Sequence, residues 1–405
     1  TRYWRDWSSD VCSSDLAWIV SGSRTPIGRF LGDLASVTAP HLAGETIRHT
    51  VDKSGIDPSR VDEVFVGNVV AAGVGQAPAK QASLYSGLPE SVSCTAVNKV
   101  CGSGLQAAIL AVQAIQSGNA KVCIAAGMES MSLAPHLVKQ SRTGIKYGTI
   151  SMLDAIENDG LRCAFGQVAM GCYADRVARN HRITRADQDA WALTSHQRAC
   201  EAIASGAFEQ EIAPVSVDAQ TVVKLDSCPR KDTSLERLAK LKPAFGSDGT
   251  VTAGNASGLA DGAASVMIVD DSVHNQLPPH ACFRVLGVAR HSQAPQDLFT
   301  APVYAVLKNC KSANIKLDEI DLFEINEAFA SQVVACIQDL KISADKVNVH
   351  GGAIALGHPI GCSGTRVLVT LMHALERHQK RIGLATLCIG GGEAVSMVIE
   401  HHPMT

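Results

Sequence analysis

Aromatic side chains are scarce: four tryptophans, five tyrosines and nine phenylalanines make up 4% of the chain. An interior so short of rings must be filled by aliphatic side chains and close backbone approach, and 34 glycines beside 46% hydrophobic residues fit that. Charge is low too. Charged residues are 19% and the net charge is −3, so no general electrostatic case exists for binding nucleic acid or a membrane surface. A basic contact with a phosphate has to be a local patch. No apolar run approaches the roughly eighteen residues of a membrane span. The thirteen cysteines include no Cys-x-x-Cys pair. That argues against a zinc site, a dithiol redox centre or a disulfide framework, and for reduced thiols in a cytoplasmic protein.

The chain has 405 residues, more than one ordinary core supports, so two or three domains are expected. Residues 1–16 (TRYWRDWSSDVCSSDL) hold two of the four tryptophans and follow no period. The run Asp6–Leu16 reads as the in-frame translation of a sequencing adapter, and it lacks the apolar segment of a signal peptide. This stretch is therefore expected to be a non-native extension that replaced the original start and any targeting information in it.

From Ala17 onward, strand patterns at 17–20, 63–66 and 121–126 alternate with helical patterns near 39–54 and 77–86. The chain also resembles itself. Val64–Asn68 matches Leu322–Asn326, Ser103-Gly104 matches Ser363-Gly364, and Val122–Ala125 matches Ile382–Ala385. Ala264–Asp270 then matches Ala394–Glu400 at about half that offset. Collinear matches of this kind predict a duplicated α/β unit whose first copy is interrupted before its last strand. Residues 17–130 with 258–281 form the predicted N-terminal half, 131–257 the insert and 282–405 the C-terminal half. Within the insert, helices are expected near 152–158, 166–181 and 185–205, the last opened by Thr184 and Asp187. Its polar, basic loops suit a cover over a site or an oligomer surface.

Four stretches carry chemistry. In Val97–Ala108, Cys101 ends a β-branched run and precedes a small-residue helical pattern. A thiol at a helix N-terminus meets free N–H groups and the positive end of the dipole, which favours the nucleophilic thiolate. A buried structural cysteine is the alternative. Asn326 follows a strand, where its carboxamide faces a crevice or caps the next helix. His358 stands in the glycine-rich run Gly351–Gly364, and Pro359 pushes it out of helical geometry. Cys388 leads into Gly390-Gly391-Gly392 and their bare N–H groups. Two cysteines, a histidine and an asparagine at strand ends point to thiolate chemistry with an oxyanion hole. Cys336 and Cys362 have no such setting and read as structural.

With Gly246–Gly262, Asn326–Ala330 and the runs above, the chain from about Ala17 to its end resembles the thiolases, most of all the acetoacetyl-CoA thiolases. The resemblance implies the duplicated, five-layered thiolase fold with a loop domain, in a homotetramer or homodimer. It implies an acetyltransferase that joins two acetyl-CoA into acetoacetyl-CoA and CoA, with no cofactor beyond the thioester substrate. Cys101 would carry the acetyl group, His358 would take its proton, and Cys388 would deprotonate the second acetyl-CoA. One oxyanion hole is implied for His358 with a water on Asn326, the other for the N–H groups of Cys101 and Gly390. CoA contacts are implied for Ser257, Ala256, Leu161, Met170 and Arg230. Two departures stand out. Ala169 replaces a histidine usual in short-chain thiolases, and Glu393-Ala394 replaces a usual Met-Gly. Ala169 keeps a longer-chain 3-ketoacyl-CoA thiolase of β-oxidation as an alternative, beside a non-catalytic thiolase-like scaffold.

Overall fold

A computed structural model describes residues 16–144 and 146–403; apart from Leu16, the expected non-native extension 1–16 lies outside them. The first half runs β1 (Trp18–Arg24), α1 (Ala39–Ser54), β2 (Glu63–Gly67), α2 (Pro78–Tyr85), β3 (Ser93–Val97), α3 (Ser103–Gln116) and β4 (Val122–Ser130). Local chemistry explains the boundaries. Pro40 lies in the first turn of α1, and Gly55 closes it at φ +67°, a left-handed cap that glycine adopts without strain. After β4 the chain leaves the sheet and forms α4 (Met170–Asn180) and α5 (Arg185–Ala204). It returns as β5 (Ala260–Val269), buried along its whole length.

The second half repeats the plan with β6 (Cys282–Ser292), α6 (Ala301–Ser312), β7 (Leu322–Ile325), α7 (Ala330–Leu340), α8 (Ile360–Arg377), β8 (Ile382–Ile389) and β9 (Glu393–His402). In the first half β3, β2 and β4 pair in parallel, and β4, β5 and β1 follow antiparallel. In the second, Val347 bridges β7 in parallel, β7 pairs with β8 in parallel, and β9 and β6 follow antiparallel. The two halves thus share one strand order, and each matched sequence pair falls on equivalent elements. They join where Trp18 and Ile19 of β1 pair with Arg284 and Phe283 of β6.

Layering follows from burial. The helices α3 and α8 lie between the half-sheets and are buried along most of their length. Outside them α1 and α2 cover the first half-sheet, and α6 and α7 the second. The central helices touch at Gly104 and Gly364, equivalent residues of the two halves. A Cβ on Gly104 would stand 2.6 Å from the backbone nitrogen of Thr365, so only glycine permits this approach.

The excursion between β4 and β5 is tied back by a buried ion cluster. Arg24 donates to Asp226 at 2.7 and 2.9 Å and pairs with Glu211. Two expectations for this segment need correction. The helix predicted from Gly166 starts at Met170, because Gln167 takes φ +52° and Ala169 is extended. The helix predicted at 152–158 is a short strand, Leu153–Asp154, followed by a single wide turn at Ile156–Leu161. The capping box expected for α5 is present, with Thr184 and Asp187 each bonding the other's backbone.

Candidate active site

Cys101 sits on the turn between β3 and α3. Val100 before it takes φ +45°, a left-handed conformation that costs a β-branched residue about 1–3 kcal/mol. Hydrogen bonds hold the turn in place. Val100 N–H donates to Asn98 Oδ1 (3.1 Å), Ser103 Oγ donates to the Val100 carbonyl (2.6 Å), and Lys99 N–H donates to Ser103 Oγ (2.8 Å). The N–H groups of Gly390 and of Cys101 itself are directed at the sulfur. Even so, burial pushes the thiol up to about 11, with Glu129 adding to the rise. The resting thiolate expected from the helix end is therefore corrected: dehydration outweighs the two N–H groups, and Cys101 needs a base.

His358 has the attributes of that base. Its Nδ1 lies 2.5 Å from Ser363 Oγ, whose own hydrogen goes to the Pro359 carbonyl at 2.9 Å. This pattern assigns the ring proton to Nδ1 and leaves a lone pair on Nε2. Nε2 is buried and has no hydrogen-bond partner among the described residues. Burial, with Arg366 second, brings His358 down to about 4, so the ring is neutral at neutral pH and can accept a proton.

Cys388, near the end of β8, is fully buried. Burial first, and the neighbouring Cys101 second, keep its thiol well above the ordinary range. One cavity of about 420 Å³ brings Cys101, His358, Cys388 and Gly390 together with Leu161, Met170, Ala256 and Ser257. Ala169 lies in the same wall. A thiol acceptor, a neutral imidazole and a second thiol over an apolar chamber can run acyl transfer and deprotonate a carbon next to a thioester.

Two expected residues lie outside this lining. Asn326 is buried just beyond β7, and both its amide atoms lack a hydrogen-bond partner among the described residues. Its alternative role as a helix cap is excluded, because α7 starts only at Ala330. Arg230 lines a neighbouring cavity of about 320 Å³ with Arg29, His196 and Cys228, and donates to His196 Nε2 at 3.0 Å. Ala256, Gly258 and Leu259 line both cavities.

Sequence reasoning missed the aromatic wall. Phe245, Phe299 and Phe329 all line the main cavity, with Phe329 5.4 Å from Phe299 and 6.1 Å from Phe245 between ring centroids. Phe329 carried a signal, because it lies inside the Asn326–Ala330 run, whereas Phe245 and Phe299 are distant from it in the chain. Glu129 was missed as well. It accepts hydrogen bonds from Val69 N–H (3.1 Å), Val70 N–H (3.2 Å), Asn68 Nδ2 (2.7 Å) and Gly361 N–H (2.9 Å). It thereby ties β4 to the turn that follows His358, and burial raises it to about 7.

A doubled α/β scaffold that gathers two thiols and a neutral histidine over an apolar chamber is built for thiol-dependent acyl transfer. Family models for the N-terminal and C-terminal domains of thiolase match residues 17–272 and 279–401. The acetyl-CoA acetyltransferase of Escherichia coli (strain K12) is 48% identical over 94% of this chain and 98% of its own length. A probable acetyl-CoA acyltransferase of Staphylococcus aureus (strain COL) is 45% identical over 95% and 98%. Among solved structures, the Bacillus anthracis acetyl-CoA acetyltransferase superposes with a TM-score of 0.93 at 37% identity, covering 96% of this chain and 99% of the other. Human mitochondrial 3-ketoacyl-CoA thiolase gives 0.92 at 36%, covering 95% and 98%. The chain belongs to the thiolase family.

Proposed function

We propose that the protein is an acetyl-CoA C-acetyltransferase, condensing two acetyl-CoA reversibly to acetoacetyl-CoA and CoA through an acetyl group on Cys101. The observation that carries this reading is the shared cavity of Cys101, His358 and Cys388, beside the near-full-length relatives named as acetyl-CoA acetyltransferases. His358 Nε2 takes the Cys101 proton as the sulfur attacks the thioester carbonyl. The tetrahedral oxyanion is met by the N–H groups of Cys101 and Gly390. CoA leaves with the proton returned by His358. Cys388 passes its proton to His358 Nε2 and, as the thiolate, removes a proton from the methyl carbon of a second acetyl-CoA. The enolate oxygen is met by the proton now on His358 Nε2 and by a water on Asn326, whose buried amide, without a hydrogen-bond partner among the described residues, supports that role. The enolate carbon attacks the carbonyl carbon of the acetyl group on Cys101, the C–S bond breaks, the Cys101 sulfur takes the proton from His358, and acetoacetyl-CoA departs.

Ser257, Ala256, Leu161 and Met170 are assigned to the pantetheine and the acyl end, because they line the chamber. Arg230 is assigned to the nucleotide end, which the adjoining cavity supports. No step changes an oxidation state or needs a metal, so no cofactor is assigned beyond the CoA thioester substrates. Tyr147, Ile150, Met152 and Phe165 stand exposed on the excursion, which supports self-association as a dimer or tetramer. No described helix is long and apolar enough to cross a membrane. A cytoplasmic place in fatty acid metabolism is assigned on the relatives' activity.

Initial-rate kinetics of acetoacetyl-CoA thiolysis tests the reading. A covalent acetyl-Cys101 requires parallel double-reciprocal lines as CoA is varied. Faster thiolysis of acetoacetyl-CoA than of longer 3-ketoacyl-CoA is expected. Intersecting lines, or a clear preference for long chains, would overturn it.

A further inference from the structure

The turn that carries Cys101 and the turn that carries Gly390 come from opposite halves of the chain, and their placement fixes the distance from sulfur to oxyanion donor. They are pressed together. A Cβ on Gly102 would overlap the Ile389 side chain, and one on Gly390 would lie 3.3 Å from Val100 Cγ1. Packing of this kind limits how closely the turns approach but does not stop them from parting. Beside the Gly390 N–H directed at the Cys101 sulfur, a side-chain contact spans the seam: Lys99 Nζ forms an ion pair with Glu393. Lys99 is two residues before Cys101, and Glu393 is three after Gly390 and opens β9. Both side chains are largely sheltered, at 23% and 34% exposure, which weakens solvent screening. Arg290, on the neighbouring β6, also faces Glu393.

We propose that Lys99 and Glu393 are positioning residues, an inter-half clamp that holds the strained Cys101 turn against the Gly390 N–H. This rests on the reading of Cys101 as the acyl carrier. The clamp opposes two forces at once: the left-handed strain at Val100, which relaxes if the turn opens, and the freedom of the Gly391-Gly392 hinge, both at positive φ. Neither residue lines the cavity, so the clamp acts on the rate of acyl transfer rather than on the binding of the thioester.

A double-mutant cycle on the full chain tests this, with Lys99→Met, Glu393→Gln and the double variant. The readouts are the single-turnover acetylation rate of Cys101 by acetyl-CoA and the steady-state kcat and KM of acetoacetyl-CoA thiolysis. Each single variant is expected to lose about tenfold in acetylation rate and kcat with KM unchanged, since small misplacements of reacting groups are felt this strongly. The double variant should lose no more than either single one, because both changes break one contact. Wild-type rates in the single variants, multiplied losses in the double, or a change confined to KM would each overturn the clamp. Absence of acetylation in the wild-type enzyme would instead refute the acyl-carrier reading on which it rests.

Discussion

At Cys101 two opposing effects meet. The helix start and the Gly390 N–H favour the thiolate, while removal from water disfavours it, and the second wins, leaving the thiol near 11. The sign for pH follows: the thiolate fraction grows as pH rises toward that value. Alkylation of Cys101 by iodoacetamide, mapped by peptide mass, should therefore quicken steadily from neutrality to about pH 11 in the free enzyme. A rate already flat at neutral pH would show a preformed thiolate. His358 has the opposite shift and stays neutral until pH falls near 4, so its loss as a base should not limit turnover in the neutral range. The residues Cys101, His358 and Cys388 were legible in the sequence because glycine and proline around them leave little structural reason for a thiol or an imidazole. The protonation state of Cys101 was not legible. It depends on atoms from Glu129 and Gly390, far apart in the chain, and on how much water their packing excludes. Phe245 and Phe299 were missed for a related reason, since only the fold brings them beside Phe329.

The decisive elements are the strand-to-helix turn of Cys101, the turn of His358 between the short helix Ala353–Leu356 and α8, and the helices these turns start. Gly104 and Gly364 let α3 and α8 meet backbone to backbone, which places the Cys101 turn and the His358 turn on one chamber. Gly364→Ala would put a methyl group into the Gly104–Leu105 backbone. It should cost about 1–3 kcal/mol or more by overpacking, read as a lower denaturation midpoint. Glu129→Ala attacks the same region through polar groups. It leaves three backbone N–H groups and one amide without their acceptor. At about 1 kcal/mol for each lost bond, a fall of roughly 3 kcal/mol or more in unfolding free energy is expected. An unchanged midpoint would show that water replaces the carboxylate. Element placement in the halves was readable, because strand and helix periods there agree with burial. It failed around Gly166, where apolar spacing looked helical but Gln167 lies at positive φ, a backbone state that periodicity does not encode.

For the whole molecule, duplication is the organising fact. Equivalent strands in each half reproduce one pairing order, and the sequence matches predicted their correspondence because the interior repeats its small aliphatic residues. What the matches could not show is how the excursion is fastened. Arg24, buried at the end of β1, engages Asp226 and Glu211 from that excursion. Arg24→Ala should cost about 3–5 kcal/mol, since it strands two buried carboxylates, and thermal melting would register it. The halves also divide the chemistry, Cys101 coming from the first and Cys388 and His358 from the second. The most direct test of that division is mass spectrometry of a Cys388→Ala variant incubated with acetyl-CoA. An acetyl group should accumulate on the peptide containing Cys101, with no acetoacetyl-CoA formed. Acetyl-CoA left intact with an unmodified Cys101, or condensation continuing without Cys388, would contradict the account.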